Sequence, residues 1–239
     1  MGDALYFAGD THSEHGHLVE FLREHPDAQL IHVGDFELNR PADDEFPDDV
    51  RDRLWWIHGN HDYDRQDHWA HLYQPEMMSR CLHGRVVEIQ GVRVAGLGGN
   101  FQGSVWMPPD QPNHETREAL SQVTPRQNRH PTYGVALKRA GAIWKEDFDA
   151  LAPQSADILV THEAPSTHRN GFSEIDELGQ AMGVHTIVHG HHHVDYKHQP
   201  PAGTQVLGVG FRAIASVETG GIHQVDWVVE SSMSKRNAN

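Results

Sequence analysis

Short apolar runs recur along the chain, and five of them lead into polar side chains that can bind a metal ion. The first run is apolar throughout and the others are mostly apolar, as strands of a parallel sheet are when both of its faces are covered. Four of the five runs reach the polar side chain across a glycine. The runs are Ala4–Ala8, Leu30–Val33, Trp55–Ile57, Ile158–Thr161 and Thr186–His189. The pattern predicts parallel strands whose ends carry the chemistry, which is where α/β proteins place it.

Helical spacing separates the predicted strands. Apolar positions between Leu18 and Leu22 indicate one helix, and Ile175–Met182 indicates another that ends at Gly183. A right-handed crossover from strand to helix to strand would bring the ends of the first two strands to one edge of a sheet. Further helices are predicted at 68–73 and 144–151, and further strands at 86–89, 92–97, 204–209, 213–217 and 222–229, the last three antiparallel and closing a sheet.

A single domain is predicted for residues 1–230, followed by a flexible tail at 231–239. Within that domain residues 101–153 are polar and proline-bearing, which favours an insertion lying over the site. Residues 113–141 carry five basic and two acidic side chains, a local charge of +3 in an acidic protein. Charge solvated on a loop is the favoured interpretation, and a role in binding a substrate anion is the alternative.

Composition limits the classes of partner. The 239 residues suit one large domain, and no apolar run approaches the roughly 18 residues of a membrane-spanning helix. Since the N-terminus also lacks the pattern of a secretory signal, we expect a cytoplasmic protein with no membrane partner. The formal charge of −15 argues against binding an extended nucleic acid but allows a small anionic substrate. Cys81 is the only cysteine, so any metal must be bound by nitrogen and oxygen.

The side chains that follow the five runs form a set of carboxylates, imidazoles and one amide. Residues i and i+2 of an extended backbone point the same way, so Asp10 and His12 can share one ion, whereas His192 should point away from its neighbours. Two ions about 3.5–4 Å apart need a bridging carboxylate and several nitrogen or oxygen ligands on each side. Such a pair lowers the pKa of a shared water to about 7 and neutralises charge on a phosphoryl group. The set that can supply these ligands is Asp10, His12, Asp35, Asn60, His61, His162, His191 and His193.

The order of these residues resembles that of a known family. Five blocks are similar to the five signature blocks of the calcineurin-like metallophosphoesterases, in the same order. The blocks are Asp10-x-His12, Gly34-Asp35, Gly59-Asn60-His61-Asp62, His162 and Gly190-His191-x-His193. The resemblance implies an α/β fold, a two-sheet mixed β-sandwich flanked by helices in four layers (α/β/β/α).

The same resemblance implies a role for each residue. One ion would be held by Asp10, His12 and His193, the other by Asn60, His162 and His191, with Asp35 as the bridge. His61 would protonate the leaving oxygen or stabilise the transition state, and Asp62 would orient the loop. A hydroxide between the ions would attack phosphorus in line. The implied cofactors are two divalent transition-metal ions, Mn, Fe, Zn or Ni, with Mn favoured.

Departures from the family pattern narrow the range of expected substrate classes. The protein Ser/Thr phosphatase branch has Asp and Glu where this chain has Leu38 and Asp62, which favours a small phosphodiester, phosphomonoester or nucleotide over a phosphoprotein. Diesters are slightly preferred, and the sequence predicts no oligomeric state.

Three other functions stay open. The glycine-rich turn at Gly96 and the segment Thr161-His162-Glu163 are loosely similar to RNA debranching phosphodiesterases, which however tend to have Cys where Asp10 stands. The segment His191-x-His193-x-Asp195 partly matches a block of metallo-β-lactamase folds, although it falls late in the chain. A non-catalytic metal- or nucleotide-binding module is the third alternative, and it would not require His61.

Overall fold

Two mixed β-sheets contain all five apolar runs. The computed structural model describes residues 4–218 and 225–229. The strands in chain order are β1 (Ala4–Ala8), β2 (Gln29–His32), β3 (Leu54–Trp56), β4 (Arg85–Ile89), β5 (Val92–Leu97), β6 (Ile158–Thr161), β7 (Thr186–His189), β8 (Tyr196–His198), β9 (Gln205–Gly208), β10 (Ile214–Glu218) and β11 (Val225–Val229). The first sheet has the order β11-β10-β1-β2-β3 and the second has the order β4-β5-β6-β7-β9-β8.

The strands that precede the candidate ligands are parallel, as predicted. In the first sheet β2 is parallel to both β1 and β3, and in the second sheet β6 is parallel to both β5 and β7. Strands β6 and β7 are buried along their whole length. Their mostly apolar sequences follow from this burial on both faces.

One predicted arrangement of strands is wrong. Residues 204–209 were expected to form an antiparallel set with the two strands that follow, but β9 lies in the second sheet, parallel to β7 and antiparallel to β8. Every residue of β9 is buried, which suits a position between two other strands. The chain then crosses to the first sheet, where β10 pairs antiparallel with β1 and β11 with β10. Strand β8 was not predicted because Tyr-Lys-His carries no apolar pattern.

Helices flank both sheets. They are α1 (Gly16–Glu24), α2 (Ala42–Glu45), α3 (Asp48–Arg51), α4 (Gln66–Leu72), α5 (Pro75–Met78), α6 (Arg117–Val123), α7 (Leu137–Ala140), α8 (Lys145–Leu151) and α9 (Ser173–Met182). The four predicted helices correspond to α1, α4, α8 and α9, and α9 ends at Gly183 in the left-handed conformation. Four of the helices that were missed span only four residues, too few to show a 3.6-residue period, and the fifth, α6, spans seven residues of a mostly polar stretch.

Three apolar clusters define the four layers. The middle cluster lies between the sheets and includes Phe7, Val160 and Leu207. A second packs α1 on the outer face of the first sheet, and a third packs α8 and α9 on the outer face of the second. The observed architecture confirms the predicted fold class.

Residues 101–153, here called the inserted segment, join the third cluster through Trp106, Leu120 and Trp144. Their position over the site stays a prediction, as does the single-domain boundary. The predicted tail at 231–239 lies outside the described residues. Among the described helices none is long and apolar enough to cross a membrane.

Candidate metal centre

Glycines precede the ligands because other side chains would not fit. Gly34 has φ +107°, a conformation that L side chains rarely adopt, and a Cβ there would lie 2.5 Å from His162 Nδ1. At Gly59 a Cβ would overlap Oδ1 and the backbone nitrogen of Asp35. The loops after β2 and β3 therefore approach each other more closely than any side chain at these two positions would allow.

Several candidate ligands occupy strained backbone conformations. His12, Asp35, His191 and His193 have φ values of 43°, 60°, 69° and 57°. The left-handed region costs a non-glycine residue about 1–2 kcal/mol. Such strain concentrates at functional sites, where the surrounding structure maintains it.

The first cluster of candidate ligands comprises Asp10, His12 and His193, whose ligand atoms lie within 4.8 Å of one another. The Nε2 atoms of His12 and His193 are 3.0 Å apart, and His193 Nε2 is 4.0 Å from Asp10 Oδ1. Asp10 is fully buried, and both of its oxygens accept hydrogen bonds from the backbone nitrogen of His191. Two imidazole nitrogens this close either share a proton or direct their lone pairs at one cation.

The second cluster comprises Asp35, His162 and His191, also within 4.8 Å of one another. Asn60 joins it, because its Oδ1 lies 3.1 Å from His162 Nε2. His162 is fully buried, and its Nδ1 lies 2.9 Å from the carbonyl oxygen of Val33. This hydrogen bond makes Nδ1 the donor and leaves Nε2 as the nitrogen available to a metal.

Asp35 belongs to the second cluster and also faces the first. Its Oδ2 is 3.4 Å from His162 Nε2 and 4.0 Å from His12 Nε2. That oxygen is buried and has no hydrogen-bond partner, although Oδ1 accepts from the backbone nitrogen of His61. A buried carboxylate oxygen without a partner is costly unless a cation occupies the space in front of it. The carboxylate, amide and imidazole donors around it fit a divalent transition metal.

The charges of the centre favour a bound cation. Burial lowers the pKa of His162, but the Asp35 and Asp10 carboxylates outweigh burial and raise this pKa to about 10. Burial, reinforced by the charge of Asp35, raises the pKa of Asp10 to about 7. In the metal-free protein a proton on His162 therefore supplies positive charge that a metal ion would supply instead.

His61 and Asp62 follow Asn60 but face different surroundings. The side chain of His61 is 44% exposed, and its ring makes an edge contact with His12 at 5.5 Å between centroids. Asp62 is fully buried and accepts hydrogen bonds from the backbone nitrogens of Asp35, Glu37 and Gly59. Burial raises the pKa of Asp62 to about 6. Through these three hydrogen bonds Asp62 connects the loop after β2 to the loop after β3.

Glu37 is a carboxylate at the centre that the sequence analysis missed. Its Oε1 accepts a hydrogen bond from His12 Nδ1 at 2.8 Å, which directs His12 Nε2 toward the first cluster. The two-residue spacing of Asp10 and His12 recurs at Asp35 and Glu37, so a signal was present in the sequence. The extended backbone assumed for it is wrong, because His12, Asp35 and Glu37 have positive φ.

A second missed carboxylate, Glu163, borders the other cluster. Glu163 is buried and lies within 4.8 Å of ligand atoms of His191 and His192. His192 also stacks on His168 at 3.9 Å between ring centroids, and it belongs to neither of the two clusters that surround Asp35. All seven residues predicted as metal ligands thus lie at one place, where the loops of the two sheets face each other.

Comparison with known proteins identifies relatives over most of the chain. The family model of calcineurin-like phosphoesterases matches residues 4–195. An uncharacterised protein of Haemophilus influenzae is 38% identical over 215 residues, which are 90% of this chain and 94% of that protein.

Solved structures share the fold at low sequence identity. The protein TT1561 of Thermus thermophilus superimposes with a TM-score of 0.56 at 14% identity, over 95% of this chain and 99% of that one. A 5'-nucleotidase from Candida albicans gives 0.51 at 12% identity, over 98% of this chain and 52% of that longer one.

Proposed function

Since the chain belongs to the calcineurin-like phosphoesterases, hydrolases that act on phosphoester bonds, we propose that it cleaves a small phosphate ester with the help of two divalent metal ions. The observation that carries this proposal is the buried, unpartnered Oδ2 of Asp35 between two clusters of imidazole and carboxylate groups. One carboxylate that faces both clusters is what a bridged pair of ions requires.

Each cluster of candidate ligands would hold one ion. Asp10, His12 and His193 would hold one ion, Asn60, His162 and His191 the other, and Asp35 would bridge them. Bound there, the two ions would supply a hydroxide for in-line attack on phosphorus and would neutralise the charge that develops on the phosphoryl oxygens. The nitrogen and oxygen donors of the site suit Mn, Fe, Zn or Ni, and Mn is the metal we favour.

His61 is the residue with a role in proton transfer. It is half exposed beside His12 and, unlike Asp62, its side chain does not tie the loops together. We assign it to donate a proton to the leaving oxygen as the ester bond breaks.

The substrate proposed is a small phosphodiester or phosphomonoester, with diesters slightly preferred. The formal charge of −15 disfavours a long polyanion over most of the surface. Leu38 is fully buried in the apolar cluster under α1, so no carboxylate stands where the protein Ser/Thr phosphatases have their second Asp.

The test compares metal-reconstituted enzymes. The protein is stripped of metal and restored with Mn, Fe, Zn or Ni, and hydrolysis of bis(4-nitrophenyl) phosphate is compared with that of 4-nitrophenyl phosphate. Asp35→Asn should lose both bound metal and activity, by at least about 100-fold. His61→Ala should retain metal and lose about 10²- to 10⁴-fold in kcat on a phosphodiester with an alkyl leaving group, which needs a proton, and much less on the two nitrophenyl esters.

Two results would contradict this function. Full activity of Asp35→Asn would show that the assigned bridge is wrong. A wild-type protein that binds two ions tightly but hydrolyses neither ester would favour a non-catalytic metal-binding module.

A further inference from the structure

The imidazole of His61 is held by a carboxylate from its own turn. His61 Nδ1 lies 2.8 Å from Oδ2 of Asp64, three residues later. The backbone nitrogen of Asp64 also donates to the carbonyl oxygen of His61, so the short helical turn sets the distance between the two side chains. Because Nδ1 donates to the carboxylate, Nε2 is the nitrogen left to face a substrate.

A lysine from the inserted segment forms a second contact with the carboxylate of Asp64. Lys138 Nζ lies 2.8 Å from Oδ1 of Asp64, the oxygen that His61 does not use. Lys138 belongs to α7, and its carbonyl oxygen accepts a hydrogen bond from the side-chain amide of Gln102. The carboxylate of Asp64 is thus fixed from two sides, one of them 74 residues away along the chain.

Glu37 is the other carboxylate near His61, but it serves a different imidazole. Its Oε1 is 3.6 Å from His61 Nδ1, beyond hydrogen-bond distance, and 2.8 Å from His12 Nδ1. Two neighbouring histidines therefore have separate carboxylate partners, Glu37 for a metal ligand and Asp64 for His61.

The stability of the fold does not explain this contact. The side chains of His61, Asp64 and Lys138 are 44%, 30% and 70% exposed. Ion pairs this exposed contribute little to stability, because water and salt screen them. The hydrogen bond instead fixes the orientation of a half-exposed imidazole ring.

We propose that Asp64 is the positioning residue of His61 and that Lys138 of the inserted segment holds Asp64 in place for this purpose. The idea rests on the proposed function. His61 enters the step as the imidazolium, protonated on both ring nitrogens. As the bond between phosphorus and the leaving oxygen breaks, Nε2 of His61 gives its proton to that oxygen, and the ring becomes neutral and keeps its Nδ1 proton, which donates a hydrogen bond to Asp64. The inserted segment is thereby part of the proton-donating apparatus.

The kinetic test uses two phosphodiesters that share one phosphoryl half and differ in the leaving group. One releases 4-nitrophenolate, a stable anion that needs little protonation, and the other releases an alkyl alcohol that needs a proton. Asp64→Ala and Lys138→Ala should lower kcat for the alkyl ester about 10- to 100-fold, and for the nitrophenyl ester less than about 3-fold. KM and bound metal should stay unchanged. Asp64→Asn and Lys138→Arg should show smaller losses than the alanine variants, because Asn keeps one oxygen that can accept from His61 and Arg keeps a cation that can donate to Asp64.

Matched controls come from two surface ion pairs outside the site. Asp67→Ala removes a carboxylate paired with Arg65, three residues beyond Asp64. Lys145→Ala removes a lysine paired with Asp149 in α8 of the same inserted segment. Neither control should distinguish the two esters.

A spectroscopic readout tests the contact without turnover. Nitrogen-15 NMR of the metal-free protein, with the signal assigned by its absence in His61→Ala, should show that the neutral form of the His61 ring carries its proton at Nδ1. Asp64→Ala should shift the ring to the Nε2–H tautomer that a free imidazole side chain prefers.

The possible outcomes separate the two proposals. Equal losses on both esters, or an unchanged His61 tautomer in Asp64→Ala, would overturn the positioning role while leaving a phosphoesterase intact. A wild-type protein with no hydrolysis at all would instead reject the proposed function.

Discussion

His162 has the strongest electrostatic coupling to the two buried carboxylates. Its pKa is raised to about 10 by Asp35 and Asp10, against the opposing effect of burial. An unfolded His has a pKa of about 6.5. In the metal-free protein this group therefore contributes stability below about pH 6.5, and that contribution is lost as the pH rises toward 10. A metal ion on Nε2 must displace the same proton.

The first prediction is that Mn binds more tightly as the pH rises from 6 to 9. Each proton displaced should change the apparent affinity by about tenfold per pH unit below the pKa of the group that carries it. Asp10, whose pKa is raised to about 7, adds to the dependence below pH 7. Calorimetric titration in buffers of different ionisation enthalpy measures both affinity and protons released. A flat profile would show that His162 is neutral before the metal arrives.

The second prediction concerns the glycine that lies against Asp35. Gly59→Ala places a Cβ where Oδ1 and the backbone nitrogen of Asp35 already lie, so Asp35 must move. We expect loss of bound metal, by at least about 100-fold in affinity, with the secondary structure retained. Gly103→Ala is the control, because a Cβ there meets nothing within 4 Å. Metal analysis of both variants measures the loss of metal, and circular dichroism measures the secondary structure. Normal metal content in Gly59→Ala would contradict the packing argument.

At the scale of elements, the loops after β2 and β3 behave as one unit because Asp62 joins them. Its carboxylate accepts from the backbone of both loops, and all three donors lie within three residues of Asp35 or Asn60. The third prediction is that Asp62→Asn costs about 1–3 kcal/mol of unfolding free energy, since an amide nitrogen cannot accept the bonds made by a carboxylate oxygen.

Urea unfolding measures that cost, and metal content should fall with it. Asp67→Asn, a half-exposed carboxylate on α4, is the control and should unfold like the wild type. A variant Asp62→Asn with wild-type stability would show that the loops keep their positions by other contacts.

The strand ends could be predicted from the sequence for a physical reason. Parallel strands buried on both faces have unbroken apolar sequences, and the close approach of their loops demands glycine, so both signals are local. Partners such as Lys138 and Asp64 could not be predicted, because their contact joins residues 74 apart through side chains of ordinary polar type. The prediction for β9 was wrong because pairing between strands is also not encoded locally. An apolar run records burial, and burial does not specify which sheet or which direction.

Viewed as a whole, the molecule places its ligands on both sheets. Asp10 and His12 follow β1 of the first sheet, whereas His193 follows β7 of the second. The second cluster is divided in the same way, with Asp35 from the first sheet and His162 from the second. Each ion would therefore join the two sheets at one end of the cluster that packs between them.

The fourth prediction is that metal removal destabilises the whole domain. An ion present at 100 times its dissociation constant adds about 2.7 kcal/mol to the folded state. A chelator should therefore lower the Tm of the wild type by several degrees. Asp35→Asn should show little further change, because it has already lost the ions. Calorimetric scans with and without chelator test this, and an equal drop in both proteins would point to an effect of the chelator elsewhere.

The separation of the ligands along the chain has a consequence for how the protein acquires its metal. His12 and His193 are in contact although 181 residues apart in sequence, so the first cluster cannot form on a nascent chain until residue 193 has been synthesised and the loops of both sheets have met. An ion that uses ligands from both sheets can then be bound only once the loops of both sheets have come together. The ion that the mature protein carries should accordingly reflect the free metal concentrations of the compartment in which folding is completed.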